Sequence, residues 1–127
     1  MNQVSIIIPC YQQAEYLPEA LESAILQTIP CEVICVIDGS PDDSLRIAKQ
    51  YEPEVIVVQQ VNKGLASARN TGILWAQGEY VYPLDADDLI AQDCIEKLLV
   101  IAKETNADIV ASSMKCFGLS SETIVIH

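Results

Sequence analysis

The sequence predicts an α/β fold in which a mostly parallel sheet is covered by helices on both faces. Short apolar runs, typical of strands buried on both sides, alternate along the chain with segments whose apolar residues recur at helical spacing. Repeated strand–helix alternation of this kind favours parallel pairing. The chain has 127 residues, of which 50% are hydrophobic and 20% charged, and this composition suits one folded domain.

Five strands are predicted from apolar runs that end at turn residues. Pro9 closes the first run. Beyond residue 115 the pattern is less regular, although residues 123–126 could pair as an edge strand. The five predicted strands are 4–8, 32–37, 55–59, 80–84 and 108–112.

Four helices are predicted between these strands. Pro18 suits the first turn of the first helix. The second helix is predicted to begin with Ser40 as its N-cap, Pro41 in its first turn and Asp43 as the acidic part of a capping box. The predicted helices lie around residues 17–25, then at 40–51, 65–76 and 92–105.

The charge balance restricts the possible partners. The net charge is -11, from 18 acidic and 7 basic residues, which argues against nucleic acid because phosphate backbones require clustered Lys and Arg. An anionic substrate would need a bridging cation for the same reason. The five cysteines include no CxxC pair and the single histidine is His127, which argues against zinc.

The cellular location is predicted from the cysteines and from hydropathy. Unpatterned cysteines beside apolar runs are typical of buried thiols in a reducing cytosol. No charged-then-apolar leader and no apolar run of membrane-spanning length occurs in the sequence. We therefore expect a cytoplasmic protein, with membrane association of a longer parent protein left open.

An acidic cluster follows the fourth predicted strand. Asp85 and Asp87 are two positions apart, and on an extended backbone such residues point to the same side. Two hard oxygen ligands of this kind can hold Mg²⁺ or Mn²⁺ together with substrate phosphates. The alternative is a solvated acidic loop without an ion.

Other polar residues follow strand ends, where parallel sheets bind their ligands. Tyr11 follows the first strand and Asp38 ends the second, while Lys63 and Arg69 lie near the start of the third helix and suit an anion such as a diphosphate. Each residue also has a structural interpretation: a core-edge tyrosine, a turn-forming aspartate or a surface cation. Their common position at one edge of the sheet favours a binding site.

Several other sites are excluded by their missing motifs. The five glycines form neither GxGxxG nor the GxxxxGK[ST] loop. Leu89 and Ile90 occupy positions at which a calcium-binding EF-hand needs oxygen ligands and a glycine. A single terminal histidine rules out a Ser-His-Asp triad.

Four segments together resemble the nucleotide-binding half of a family 2 glycosyltransferase of the GT-A fold, which is Rossmann-like. The resemblance implies a GT-A-like nucleotide-sugar-binding domain over residues 1–118 and an irregular tail or edge strand over 119–127. The four segments are VSIIIPCY at 4–11, VIDGSPD at 36–42, NKGLASARN at 62–70 and LDADD at 84–88.

The resemblance implies how the nucleoside would be bound. Pro9 and Tyr11 would line the base and ribose pocket, and Asp38 would hydrogen-bond the nucleobase, commonly uracil. Two positions depart from the family pattern: Ile37 stands where a second acid is frequent, and Gln12 where asparagine is usual. Both departures leave the choice of donor open.

The resemblance also implies the diphosphate and metal contacts. Arg69 would approach the donor diphosphate, Asp85 would take the ribose side, and Asp87 would hold Mn²⁺ or Mg²⁺. The general base is expected beyond the end of this chain, so that the chain alone would bind a nucleotide–metal pair weakly and transfer sugar poorly or not at all.

The implied function is metal-dependent, inverting transfer of a sugar from a nucleotide-sugar such as a UDP-sugar to an acceptor hydroxyl. The acceptor would be a glycan or a lipid-linked molecule in polysaccharide biosynthesis, and an uncovered sheet edge could allow self-association. Two alternatives remain: a non-catalytic nucleotide-binding or assembly module, and a haloacid-dehalogenase-type phosphatase. The phosphatase ranks low because that family places its Asp-x-Asp after the first strand.

Overall fold

The fold is described from a computed structural model, which covers residues 2–115 and 123–124. The elements up to residue 105 are β1 Val4–Cys10, α1 Leu17–Ile25, β2 Glu32–Asp38, α2 Ser44–Lys49, β3 Val55–Gln60, α3 Leu65–Trp75, β4 Tyr80–Pro83 and α4 Cys94–Thr105. These four strands form a parallel sheet in the order β3-β2-β1-β4, with β1 at the centre beside β2. The predicted parallel α/β fold is therefore confirmed.

Helices cover both faces of the sheet. Successive side chains of β1 point to opposite faces, and each set packs against helices on its own side. Ile6 and Ile8 pack into one apolar cluster with α1, α2 and α4, whereas Ile7 packs on the other face with Ala68 of α3. All seven residues of β1 are buried, as expected for a central parallel strand. The described residues include no helix long and apolar enough to cross a membrane.

Helix α3 lies unusually close to β1 because of Gly72. A Cβ atom at this position would lie 2.2 Å from Cγ2 of Ile7, a distance that no side chain can occupy. Helix α3 packs against β1 and β2, and its Arg69 reaches Asp85, just after β4.

Three sequence predictions, on the start of α2, the end of α2 and the end of β1, need correction. Helix α2 begins at Ser44 with Asp43 as its N-cap residue, not at Ser40, because the side chains of Ser40 and Asp42 hydrogen-bond each other and form a turn ahead of the helix. The helix ends at Lys49 rather than near residue 51. Pro9 also does not close β1, since its restricted φ is compatible with an extended strand.

The strand predicted at residues 108–112 is wrong. This segment follows α4 without strand pairing, and Ile109 is 87% exposed. Its apolar residues match the strand pattern locally, but no strand forms between α4 and Met114. The predicted tail strand is present at β6 Thr123–Ile124, which pairs antiparallel with β5 Met114–Lys115 in a separate small sheet. Residues 125–126 and the predicted boundary at 118 lie outside the described residues.

Candidate functional site

A cleft of about 270 Å³ opens at the carboxyl ends of the parallel strands. It lies where β1 is flanked by β2 on one side and β4 on the other, the position at which open parallel sheets bind ligands. Five of the predicted site residues line this cleft: Pro9, Tyr11, Asp38, Asp85 and Asp87. The other lining residues are Cys10, Gln13, Leu65, Ala68 and Ala86.

Asp38 is a buried carboxylate that is held by three donors. The side chain of Gln60 and the backbone N–H of Lys63 donate to Oδ1 at 2.8 and 2.9 Å. The backbone N–H of Gly64 donates to Oδ2 at 3.0 Å. Burial alone would raise the pKa of Asp38, but these hydrogen bonds outweigh it and lower the pKa below its ordinary value. Asp38 is therefore an anion at neutral pH.

Two glycines allow the chain to wrap around this carboxylate. Gly39 has a φ of +60°, and a Cβ there would lie 2.5 Å from the backbone nitrogen of Asn62. Gly64 precedes α3 with a φ of +94°. Both conformations strongly favour glycine. The segment 62–64 can therefore turn its N–H groups towards Asp38.

Arg69 lies beside the cleft and pairs with one of its acids. Its Nη2 lies 2.8 Å from Oδ1 of Asp85, and both side chains are close to half exposed. The Arg69 Nε atom is buried and has no hydrogen-bond partner among the described residues. Arg69 is thus not a simple surface cation, because it orients Asp85 and keeps one unused donor.

The acidic cluster contains a third carboxylate, Asp88. The Asp88 N–H donates to the Asp85 carbonyl at 3.0 Å, and this turn brings carboxylate oxygens of Asp85, Asp87 and Asp88 within 4.8 Å of one another. Burial and the neighbouring carboxylates raise the pKa of Asp88. Three oxygen donors with unbalanced negative charge fit a hard divalent cation such as Mg²⁺ or Mn²⁺.

Sequence reasoning did not predict that Thr71 and Gln60 hold Asp38 through a chain of hydrogen bonds. Thr71 donates to Oε1 of Gln60 at 2.6 Å, and the same amide donates through Nε2 to Asp38. This chain fixes the orientation of the Gln60 amide and keeps its donor on the carboxylate. A signal was present in the sequence, since Gln60 is a polar residue directly after a predicted apolar strand.

A second network ties two of the cleft loops together through Asp42. Its Oδ2 accepts the N–H of Ala14 at 3.2 Å, and its Oδ1 accepts from the hydroxyls of Ser40 and Ser44. Burial would raise the pKa of Asp42, but these hydrogen bonds outweigh it and lower the pKa to about 2. Sequence reasoning treated this stretch as a helix start and as part of the family-like segment 36–42, and it did not predict the contact between Asp42 and the loop of Ala14.

Asp42 should stabilise the fold at neutral pH and lose this effect in acid. Because its pKa falls from 3.8 to about 2 on folding, the stabilisation is complete above about pH 4 and is lost as the pH falls through about 2. We expect Asp42→Asn to lower the urea midpoint at about pH 6, and the difference from wild type to shrink between about pH 4 and pH 2. Asp43→Asn, which removes an exposed pair with Arg46, should change the midpoint little. A difference that widens in acid would contradict the assignment.

Sequence and structure comparisons identify the family. The sequence profile described as Glycosyl transferase family 2 matches residues 5–125. "Glycosyltransferase GlyA" of Streptococcus pneumoniae is 35% identical over 130 residues, which cover 99% of this chain and 19% of that protein. The chain spans between 13% and 37% of the length of the curated relatives that it matches.

Solved structures give the same result. S. aureus TarS 1–349 in complex with UDP-GlcNAc is similar with a TM-score of 0.79 and 30% identity, over 85% of this chain and 33% of that one. The mannosyltransferase PcManGT from Pyrobaculum calidifontis, in complex with GDP-Man and Mn²⁺, has a TM-score of 0.69 and 28% identity over 91% and 35%. The predicted resemblance is thereby confirmed: the chain belongs to glycosyl transferase family 2 and has its GT-A fold.

Proposed function

We propose that this chain is the donor-binding part of a metal-dependent, inverting glycosyltransferase that uses a UDP-sugar. The observation that carries the proposal is the common cleft, in which the buried Asp38 carboxylate and the acidic cluster of Asp85, Asp87 and Asp88 lie at the same edge of the sheet. The donor would lie across this edge with its base at Asp38 and its diphosphate near Asp87. Pro9 and Tyr11 would line the base and ribose.

The hydrogen-bonding capacity of Asp38 supports uracil as the base of the donor nucleotide. A carboxylate has about four acceptor positions, and three of them are used by Gln60, Lys63 and Gly64. The remaining position, on Oδ2, matches the single N3–H donor of uracil. Guanine would present both N1–H and N2–H₂ on the same edge and would leave one donor unpaired, which is costly in a buried site.

The diphosphate would be bound through a cation because the chain is strongly acidic. A divalent ion held by Asp87, with Asp85 and Asp88 close by, would neutralise charge that builds up on the departing diphosphate. The Arg69 guanidinium, paired with Asp85, provides a further positive charge beside the acidic cluster. Asp85, oriented by Arg69, would then accept from a ribose hydroxyl.

The solved relatives support a nucleotide-sugar donor. The TarS structure is a complex with UDP-GlcNAc, and the PcManGT structure is a complex with GDP-Man and Mn²⁺. We extend to this chain the nucleotide-sugar class and a divalent ion of the Mn²⁺ or Mg²⁺ type. The uridine preference rests on Asp38 alone.

A titration of the chain with UDP, with and without Mn²⁺, tests this proposal. We expect Mn²⁺ to strengthen UDP binding by about tenfold or more, since the ion removes repulsion between the diphosphate and the acidic loop. Asp87→Asn should abolish this gain and leave metal-independent binding close to that of wild type. Glu79→Gln, which removes an exposed carboxylate at the opposite end of β4, should keep the full gain. Wild-type binding of equal strength with and without Mn²⁺ would contradict metal dependence.

The transfer step itself is proposed only for a chain as long as the curated relatives, of which this sequence spans 13% to 37%. The only carboxylates that line the cleft in the described part of the chain are Asp38, Asp85 and Asp87, and each already has a binding role. A general base would therefore come from elsewhere, and attack by an acceptor hydroxyl on a glycan or lipid-linked molecule would invert the sugar. This observation also supports the second candidate, a nucleotide-binding module without catalysis. Sugar transfer by the isolated chain would exclude that candidate.

Location and self-association remain proposals. A cytoplasmic role in polysaccharide biosynthesis would fit a nucleotide-sugar donor. In the described part of the chain, β4 pairs only with β1, and Val81 is 40% exposed. This open edge is where a second copy could add a strand.

A further inference from the structure

The side chains of Ser40 and Asp42 lie outside the cleft and connect the loop after β1 to the loop after β2. The hydroxyl of Ser40 accepts the backbone N–H of Gln12 at 2.9 Å, and the carboxylate of Asp42 accepts the N–H of Ala14 at 3.2 Å. Ser40 also donates to Asp42, so the two acceptors form one unit. We call this unit the Ser40–Asp42 tie.

The tied segment carries residues that line the cleft. Tyr11 and Gln13 both face it, whereas Ser40 and Asp42 do not. Gln12, between the two lining residues, has a φ of +54°, a conformation that side-chain-bearing residues rarely adopt. A hydrogen bond at Gln12 and another at Ala14 hold the backbone on both sides of Gln13.

The tie is supported from the helix side. Ser44 is fully buried, and its backbone N–H and hydroxyl both donate to Oδ1 of Asp42 at 3.1 and 2.6 Å. These bonds anchor Asp42 to the start of α2, so Ser44 belongs to the support of the tie. The adjacent Asp43 pairs with exposed Arg46 instead and therefore provides a control for the loss of a carboxylate in the same loop.

We infer that Ser40 and Asp42 are positioning residues for the nucleotide, because they fix the loop of Tyr11 and Gln13 against the loop of Asp38 before the donor arrives. This inference rests on the proposed UDP site. Ordering a loop in advance removes a cost from binding. Loss of either acceptor should therefore weaken UDP binding although neither side chain lines the cleft.

Hydrogen–deuterium exchange combined with UDP titration tests the tie in this chain. In Asp42→Asn the amide group would turn a donor towards the N–H of Ala14, and in Ser40→Ala the N–H of Gln12 loses its acceptor. We expect faster exchange at Gln12 and Ala14 and about tenfold weaker UDP binding in each variant. The double variant should lose less than the two single losses combined, because both act on one loop.

Asp43→Asn is the matched control. It should leave both the exchange at residues 12–14 and the UDP affinity at wild-type values, because the Asp43 carboxylate pairs with exposed Arg46 and not with the tied loop. Unchanged UDP affinity in Ser40→Ala and Asp42→Asn, or an equal loss in Asp43→Asn, would overturn the inference. Failure of wild type to bind UDP would overturn the proposed function and the nucleotide role of the tie. If wild type does not bind UDP, hydrogen exchange still tests the structural part of the inference. Unchanged exchange at Gln12 and Ala14 in Ser40→Ala and Asp42→Asn would then show that the tie does not hold this loop.

Discussion

Asp38→Asn is expected to weaken UDP binding by about 100-fold. Asparagine has nearly the same shape, but it offers one carbonyl acceptor where the carboxylate offers two oxygens. That carbonyl is required by Gln60 and Lys63, which both donate to Oδ1. The amide NH₂ would then face the cleft and oppose the N3–H of uracil. Isothermal titration with UDP measures the loss.

The same substitution should change the base preference. Cytosine presents an unprotonated N3, which accepts a hydrogen bond from the new amide. Asp38→Asn should therefore weaken UDP binding more than CDP binding, so that the ratio of UDP to CDP affinity falls. A loss of stability alone would weaken the binding of both nucleotides by the same factor. Asp43→Asn, in the same loop but paired only with exposed Arg46, should leave both affinities unchanged. A uniform loss for UDP and CDP would mean that Asp38 supports the fold without reading the base.

Gly72→Ala should produce the largest loss of stability. The new Cβ would meet Cγ2 of Ile7 at 2.2 Å, so α3 or β1 must move within a buried layer. Overpacking of this kind costs about 3 kcal/mol, and the helix preference of alanine returns about 1 kcal/mol. We expect the free energy of unfolding to fall by about 2 kcal/mol, measured by urea denaturation.

Two variants distinguish this clash from a general effect on α3. Leu74→Ala changes a residue of the same helix that is 85% exposed, and it should alter stability by less than about 0.5 kcal/mol. In an Ile7→Ala background the clashing methyl is absent, so Gly72→Ala should cost much less there. An equal cost in both backgrounds would show that the contact with Ile7 is not the cause.

The regular parts of the fold could be predicted because their signals are local. The apolar runs of β1 and β2 each specify a strand buried on both faces, and the structure has both. The segment 108–112 carries a similar apolar signal but forms no strand, because pairing depends on a neighbouring edge that a local pattern does not reveal. The start of α2 was misplaced for a related reason: Ser40 bonds a distant loop instead of capping the helix, and Asp42 bonds that loop as well as the N–H of Ser44 at the start of α2.

The residues of the site also fall into two groups, those that the sequence predicts and those that it does not. Asp38, Asp85 and Asp87 could be found from the sequence because polar residues at the ends of apolar parallel strands converge on one edge. The partners of these residues could not. Gln60 reaches Asp38 from the neighbouring strand, and contacts of this kind follow from sheet order and loop geometry.

The central claim is that one edge of the sheet binds both the base and the cation-bridged diphosphate of a single UDP molecule. The most direct test is a crystal structure of the chain grown with UDP and Mn²⁺. The claim predicts the uracil edge against Oδ2 of Asp38 and the ion against Asp87 in the same cleft. UDP bound with its base away from Asp38, or an ion on another face of the molecule, would contradict it.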